Sequence, residues 1–372
     1  MSNFTNLGIP KAYIVALKEL GIQKPTPIQE QTIPVLLKSK TDFIGLAQTG
    51  TGKTAAFGLP ILEQIDTNLP LVQALILAPT RELVQQIKKQ LFKFTKYRSD
   101  KVFVEAVFGG EKIDKQINNL KRPTHIIVAT PGRLLDLIER KSIDLRNINT
   151  LVLDEADEML SMGFKKELNA ILNYTNGSRN TWLFSATFPD EIQQIVNNYM
   201  KGSIAKVKIN EKNIVNTNIT HQYILTSIKE KLNILIHLLE TKREERAIIF
   251  TRTKLGAQKL AYELQEEGFS VAALEGDMQQ KERDKVMRAF KNQSLHYLVS
   301  TDVSARGIDV KDLGFIVHHQ LPEKQAYYTH RSGRTARAGK KGFSIALILP
   351  SELQDVYNLQ KKLNIQFEEI SL

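Results

Sequence analysis

The sequence has no cysteine, a single tryptophan and few aromatics, 7% in all. Without cysteine the fold can use neither disulfides nor thiolate metal ligands, which suits a reducing compartment. Long apolar runs are missing too: none approaches the roughly 18 residues of a membrane span. The opening "MSNFTNLGIPK" lacks the basic segment and apolar stretch of an export signal. Together these absences point to a cytoplasmic protein. Acidic residues are in short supply, 40 Asp and Glu against 51 Lys and Arg, a formal charge of +11. That excess suits a polyanionic partner such as nucleic acid, although a basic surface kept for solubility gives the same balance.

What is present is a rhythm. At 372 residues and 42% hydrophobic, the chain can bury large cores, and its length favours two domains over one. The short apolar runs "DFIGLA", "ALILAPT", "HIIVATP", "TLVLDEAD" and "TWLFSAT" each end in polar residues, as buried parallel strands feeding functional loops do. Between them, "TAAFGLPILEQI", "RELVQQIKKQLFKF" and "KKELNAILNY" repeat apolar residues at helical spacing and predict crossover helices. The pattern pauses at "KINEKNIVNTNIT", residues 208–220, a polar, Asn-rich stretch with the composition of a linker. It resumes in "RAIIFTRTK", "SVAALEGD", "HYLVSTD", "GFIVHHQLP" and "FSIALILP". The expectation is two successive α/β domains, residues 1–207 and 219–372, joined by residues 208–218. After the last expected strand the chain runs only to "NIQFEEISL", which leaves no further domain or tail to expect.

Three stretches carry chemistry. "AQTGTGKT" lies between an expected strand and an expected helix, the context a phosphate-binding loop requires. Glycines let backbone N–H groups face a phosphate, Lys53 reaches the β- and γ-phosphates, and Thr54 offers a hydroxyl to Mg2+. Ala47 stands where the common pattern has glycine. "LVLDEADEML" sets Asp154, Glu155 and Asp157 at the carboxyl end of a strand, where such sheets bind ligands. Asp154 is placed to hold Mg2+ through water and Glu155 to deprotonate an attacking water; on its own, such a cluster also serves a helix dipole. "THRSGRTARAGKKG", residues 329–342, concentrates His330, Arg331, Arg334 and Arg337, too basic for a core.

These motifs, in this order, make the chain resemble the DEAD-box ATP-dependent RNA helicases of helicase superfamily 2. "GIQKPTPIQ" matches the family's adenine-reading motif; "PTREL", "GG" and "TPGR" match its first-domain RNA motifs, and "SAT" the one that couples hydrolysis to unwinding. "FTRTK", "GDMQQKER", "STDVSARGIDV" and "HRSGRTAR" match the remainder. The resemblance implies two tandem RecA-like domains, each a mainly parallel sheet flanked by helices, with ATP and Mg2+ between them and RNA across both.

Residue by residue, the resemblance gives ATP to Phe4, Gln29, Gln48, Thr49, Gly50, Thr51, Gly52, Lys53, Thr54, Gly307 and Asp309, and Mg2+ to Thr54 and Asp154. Hydrolysis falls to Lys53, Asp154, Glu155, Arg334 and Arg337, the two arginines facing the γ-phosphate from the second domain. The RNA track is Pro79, Thr80, Arg81, Gly109, Gly110, Thr130, Gly132 and Arg133 in the first domain, and Arg252, Gly276, Gln280, Arg283 and Thr301 in the second. Asp157, Ser185, Thr187, His330 and Arg331 couple the two activities.

The bare chemistry leaves alternatives beside these assignments. A carboxamide such as Gln29 can both donate to and accept from adenine's edge, while Phe4 serves either as a ring over the base or as an anchor in an apolar groove. Any one of the arginines could instead belong to a salt bridge. The same motifs also serve an ATP-gated RNA clamp, whereas the spelling of "DEAD" and of the adenine-reading motif disfavours a DNA translocase of the superfamily. One departure stands out: where the family often has Asn-Tyr-Asp-x-Pro, this chain has His318, His319 and Gln320 before Leu321 and Pro322, and strand-end packing accounts for the two histidines better than a metal site. The expected partner is RNA, bound with little regard to sequence by a monomer; ribonucleoprotein, RNA-decay and ribosome-assembly complexes are the candidate settings.

Overall fold

The computed structural model describes residues 3–48, 50–175, 177, 179–209, 218–305, 313–323, 325–336 and 341–371. The chain divides into two compact units, Met1–Asn210 and Glu211–Leu372. Each is built on a sheet of seven strands, and every strand pair is parallel.

In the first unit the strands are β1 (Phe43–Leu46), β2 (Ala74–Leu77), β3 (Val104–Val107), β4 (Ile126–Ala129), β5 (Thr150–Asp154), β6 (Asn180–Ser185) and β7 (Ala205–Lys208), in the spatial order β3-β4-β2-β5-β6-β1-β7. The central strands are buried almost throughout, with apolar middles, because helices cover both faces of the sheet. Alternation along each strand divides the side chains between two cores. Val152 joins Phe43, Phe57 and Trp182 on one face, whereas Leu151 and Leu153 join Ile44, Leu183 and Met159 on the other.

The second unit repeats the plan with β8 (Ile219–Leu225), β9 (Ala247–Phe250), β10 (Val271–Leu274), β11 (Tyr297–Ser300), β12 (Phe315–His318), β13 (Gly342–Ile348) and β14 (Phe367–Glu369), ordered β10-β11-β9-β12-β13-β8-β14. Ile249, Val299, Val317 and Ile345 fill one core, and Ile248, Phe250, Leu298 and Ile316 belong to a core on the opposite face.

Ten of these strands match the apolar runs of the sequence. The other four, β3, β7, β8 and β14, do not stand out in it: β3 and β7 lie largely half-buried, β8 alternates, and β14 is mostly exposed. β3, β7, β10 and β14 are edge strands, and a strand with one covered side needs no continuous apolar run. The polar stretch 208–220 begins on the last residue of β7 and ends on the first two of β8; residues 210–217 lie outside the described residues. Among the described residues no helix is long and apolar enough to cross a membrane.

Candidate nucleotide and RNA sites

Strand order sorts the expected site residues. In the first unit, the phosphate loop, the acidic cluster and "SAT" follow β1, β5 and β6, three neighbours. The loops with Arg81, Gly109 and Thr130 follow β2, β3 and β4, also neighbours, on the other flank. All open at carboxyl ends of parallel strands, where α/β sheets receive ligands.

The phosphate loop leaves buried β1 and enters the helix Lys53–Gln64. It turns through Gly50 at φ +81° and Gly52 at φ +91°, left-handed backbone that glycine adopts without a Cβ penalty. A Cβ on Gly52 would also run into the Gln29 carboxamide. Gln29 is buried; its Nε2 donates to the Gly52 carbonyl at 3.0 Å and its Oε1 accepts from the Thr26 N–H at 3.0 Å. The carboxamide expected at adenine's edge thus also ties its own helix, Pro27–Lys38, to the loop. Lys53 curls back, with Nζ donating to the carbonyls of Ala47 at 2.9 Å and Gln48 at 3.3 Å, while Thr51 Oγ1 donates to Gln48 at 2.7 Å. Thr54 is half-buried and Thr49 lies outside the described residues. Phe4 is buried with Leu7, Ile9 and Tyr13 in the core of the unit, the anchoring arrangement that the sequence held open.

At the end of β5 the Asp154 carboxyl is buried and accepts only the Glu155 N–H, at 3.1 Å, among the hydrogen bonds described. Burial pushes it up to about 7; the Lys53 ammonium opposes this, and Glu155 and Asp157 add to it. Glu155 has φ +51°, left-handed backbone uncommon for a side chain that size, as it turns the chain into the helix Ala156–Ser161. Asp157 reaches β6's end: its Oδ2 accepts from Thr187 N at 2.8 Å and Thr187 Oγ1 at 2.7 Å, and its N–H donates to Ser185 Oγ at 3.3 Å.

On the other flank, Thr80 caps the helix Arg81–Phe94, its Oγ1 accepting from Leu83 N, directly after buried Pro79. Thr130 stands before the helix Pro131–Glu139; Gly109 and Gly132 keep open space beside the backbone, and Gly110 is exposed at φ +84°. The arginines are held from behind. Arg81 donates to the Gly109 carbonyl at 3.4 Å, and Arg133 to the Glu111 carbonyl at 3.0 Å and Gln116 Oε1 at 2.9 Å. Gln116, buried on a helix the motifs do not mark, in turn donates to the Phe108 carbonyl at 3.0 Å.

In the second unit, Arg252, Gly276 and Thr301 follow the neighbouring strands β9, β10 and β11. With Lys254, Asp302 and Ser304 they line a cavity of ≈ 250 Å³. The Arg252 Nε donates to the Leu321 carbonyl at 2.7 Å, and its backbone N–H to Gln320 Oε1 at 2.9 Å. A neutral carboxamide therefore fills that acceptor role at the departure from the family pattern. Arg283 is buried, donating to the Ser304 carbonyl at 2.9 Å, and Gln280 donates to Asp284 at 2.6 Å.

The basic stretch begins in the last turn of the helix Gln325–Ser332, which carries His330 and Arg331. Arg334 is buried and its Nε donates to the His330 carbonyl at 3.2 Å; a small pocket lined by Asp302, His330, Arg331 and Arg334 lies beside it. Arg331 is buried and grips Asp302, Nε to Oδ1 at 2.5 Å and Nη2 to Oδ2 at 2.8 Å. The motifs did not single out Asp302, whose partner is 29 residues away. Gly307, Asp309 and Arg337 lie outside the described residues.

The family patterns agree with this division. That of the DEAD/DEAH box helicases matches residues 26–195, and that of the helicase conserved C-terminal domain residues 230–339. A DEAD-box ATP-dependent RNA helicase CshA of Streptococcus pneumoniae is 46% identical over 96% of this chain and 68% of its own length. Its counterpart from Geobacillus kaustophilus is 40% identical over 100% of this chain and 78% of its own.

The chain belongs to the DEAD-box ATP-dependent RNA helicases.

Solved structures resemble this DEAD-box helicase over its length. S. cerevisiae Dbp5 bound to RNA and ADP BeF3 has a TM-score of 0.89 at 31% identity, covering 100% of this chain and 96% of that one. The DEAD-box helicase Mss116 bound to ssRNA and UDP-BeF has a TM-score of 0.90 at 29% identity, covering 100% and 81%. The paired sheets of this helicase are RecA-like domains.

Proposed function

We propose that this DEAD-box helicase couples RNA-stimulated ATP hydrolysis to local separation of RNA duplexes, through the residues its motifs mark. The observation that carries the reading is the buried Lys53 and Asp154 at the carboxyl ends of β1 and β5, interacting electrostatically beside a loop of left-handed glycines. Lys53 leaves two loop carbonyls to meet the β- and γ-phosphates, and the loop's N–H groups hold the same anion. Glu155 orients and deprotonates the attacking water. Arg334 and Arg337 stabilise charge on the transferring phosphoryl group, so hydrolysis requires both domains, residues 1–207 and 219–372, joined by residues 208–218.

The oxygen donors Thr54 and Asp154 suit Mg2+, and a carboxyl whose burial raises its pKa is stabilised as an anion by a cation beside it. When bound, Mg2+ neutralises developing phosphate charge. RNA lies along the loops after β2, β3 and β4 in one domain and β9, β10 and β11 in the other, held by backbone N–H groups, hydroxyls and guanidinium groups that read phosphate rather than bases. A cytoplasmic location belongs to this reading and rests on the cysteine-free sequence and the RNA substrate.

The test is Arg334→Lys, which keeps the charge and loses the planar fork. ATP binding is expected to survive while RNA-stimulated turnover falls severely at saturating RNA. Turnover fully recovered by excess RNA would instead make the stretch an RNA-binding patch.

A further inference from the structure

The histidine that departs from the family pattern is built into the second unit's centre. His318 ends β12, fully buried, with its ring stacked on Tyr328 at 4.6 Å and 12° between planes, and on Phe250 at 6.2 Å and 28°. Its Nδ1 lies 3.3 Å from Arg331 Nη1 and its Nε2 3.1 Å from Ser344 Oγ. A guanidinium only donates, so Nδ1 accepts. The imidazole is then neutral, its proton sits on Nε2, and it donates to Ser344.

That tautomer orders its surroundings. Ser332 Oγ donates to the Tyr328 carbonyl at 2.8 Å, so it is free to accept from Ser344 Oγ, 3.0 Å away. Ser344 Oγ is also 3.1 Å from the Tyr328 hydroxyl, which is 2.7 Å from His221 Nδ1. With His221 donating from Nδ1, each of these groups has a donor facing an acceptor. The charged and titratable groups around His318 are Arg331 and Tyr328 on the helix Gln325–Ser332, His221 on β8, and Asp302 through Arg331. Burial and the Arg331 cation hold the imidazole well below its ordinary range, consistent with the neutral ring.

Arg331 in turn gathers the carboxyl ends of three neighbouring strands. It binds Asp302 after β11, lies over the Phe250 ring of β9 at 5.0 Å, and donates Nη1 to the Gln320 carbonyl after β12 at 2.7 Å. Arg334 follows it by one turn.

We propose that His318 is a positioning residue: as the Nε2–H tautomer it accepts from Arg331 and donates to Ser344, fixing the helix that sets the direction of Arg334. This rests on the reading that Arg334 acts on the nucleotide. His318→Phe keeps the stacked ring and removes both hydrogen bonds; His318→Asn restores an acceptor and a donor without the ring. In the full chain, His318→Phe is expected to lower the kcat of RNA-stimulated hydrolysis about 10-fold with the KM for ATP within about 2-fold, the signature of an interaction made in the transition state. His318→Asn is expected to recover most of kcat. Nitrogen-15 NMR of the imidazole is expected to show the Nε2–H tautomer from pH 8 to 6.

Wild-type kcat in His318→Phe beside a crippled Arg334→Lys overturns this proposal alone. An uncrippled Arg334→Lys overturns it together with the reading beneath it. An Asn variant as slow as the Phe variant, or a proton on Nδ1, overturns it as well.

Discussion

The Gln29 side chain donates from Nε2 to the Gly52 carbonyl at 3.0 Å, so a residue expected at the base is also a strut beneath the phosphate loop. Gln29 is buried, and its Oε1 is engaged by Thr26 N, so the loop's geometry follows the state of this side chain.

Replacing Gln29 with Ala is therefore expected to weaken both ATP and GTP, ATP the more. Loss of the strut is common to the two nucleotides, and the adenine contact belongs to one. Titration of both with the variant checks this; an unchanged GTP affinity would show that the Gly52 bond does not stabilise the loop.

Glu155→Gln is expected to retain ATP and RNA while turnover falls by about 10²- to 10⁴-fold, because an amide takes no proton from water. Glu155→Gly is expected to be equally inactive yet more stable by roughly 1 kcal/mol, since glycine relieves the positive φ of +51°. Steady-state turnover and urea midpoints of the two variants separate the chemical role from the backbone one.

Asp157 holds both the N–H and the hydroxyl of Thr187 through one oxygen, Oδ2. Thr187 is exposed, so after Asp157→Ala water takes up those donors; the change costs about 1 kcal/mol and frees the segment after β6 from the acidic cluster. Unwinding is expected to fall more than hydrolysis. The ratio of strands separated to ATP consumed, measured against wild type, is the readout; an unchanged ratio would remove Asp157 from the coupling.

Acid is expected to weaken the second unit before the first. Burial lowers His221 and His319 to about 4 and His318 well below its ordinary range. An unfolded histidine titrates near 6.5, so the unfolded chain binds more protons than the native one between about 6.5 and 4. Stability from these groups is complete above that window and is lost as pH falls through it, at about 1.4 kcal/mol per pH unit for each imidazole. In the first unit His125 is likewise lowered by burial. Trp182, the only tryptophan, reports that unit alone, so its fluorescence is expected to hold its urea midpoint between pH 7 and 5 better than the far-ultraviolet circular dichroism does.

The sequence by itself determined the parallel core strands, because a strand covered on both faces must be apolar without a break, as "ALIL" and "AIIF" are. It determined the phosphate loop as well, since only glycine suits left-handed backbone at Gly50 and Gly52 between a strand and a helix. Tertiary structure decided what periodicity does not encode. The edge strands β3, β7 and β14 owe their place to a neighbour's hydrogen bonds rather than to apolar runs of their own. The partners of Arg331 and Arg133 come from separate strands and helices, because a guanidinium's fork is filled by whatever the fold brings within 3 Å or so, at any distance along the chain. For His318 the sequence offered only two adjacent histidines; burial between Tyr328 and Phe250, with a donor-only neighbour at Nδ1, fixed its charge and its tautomer.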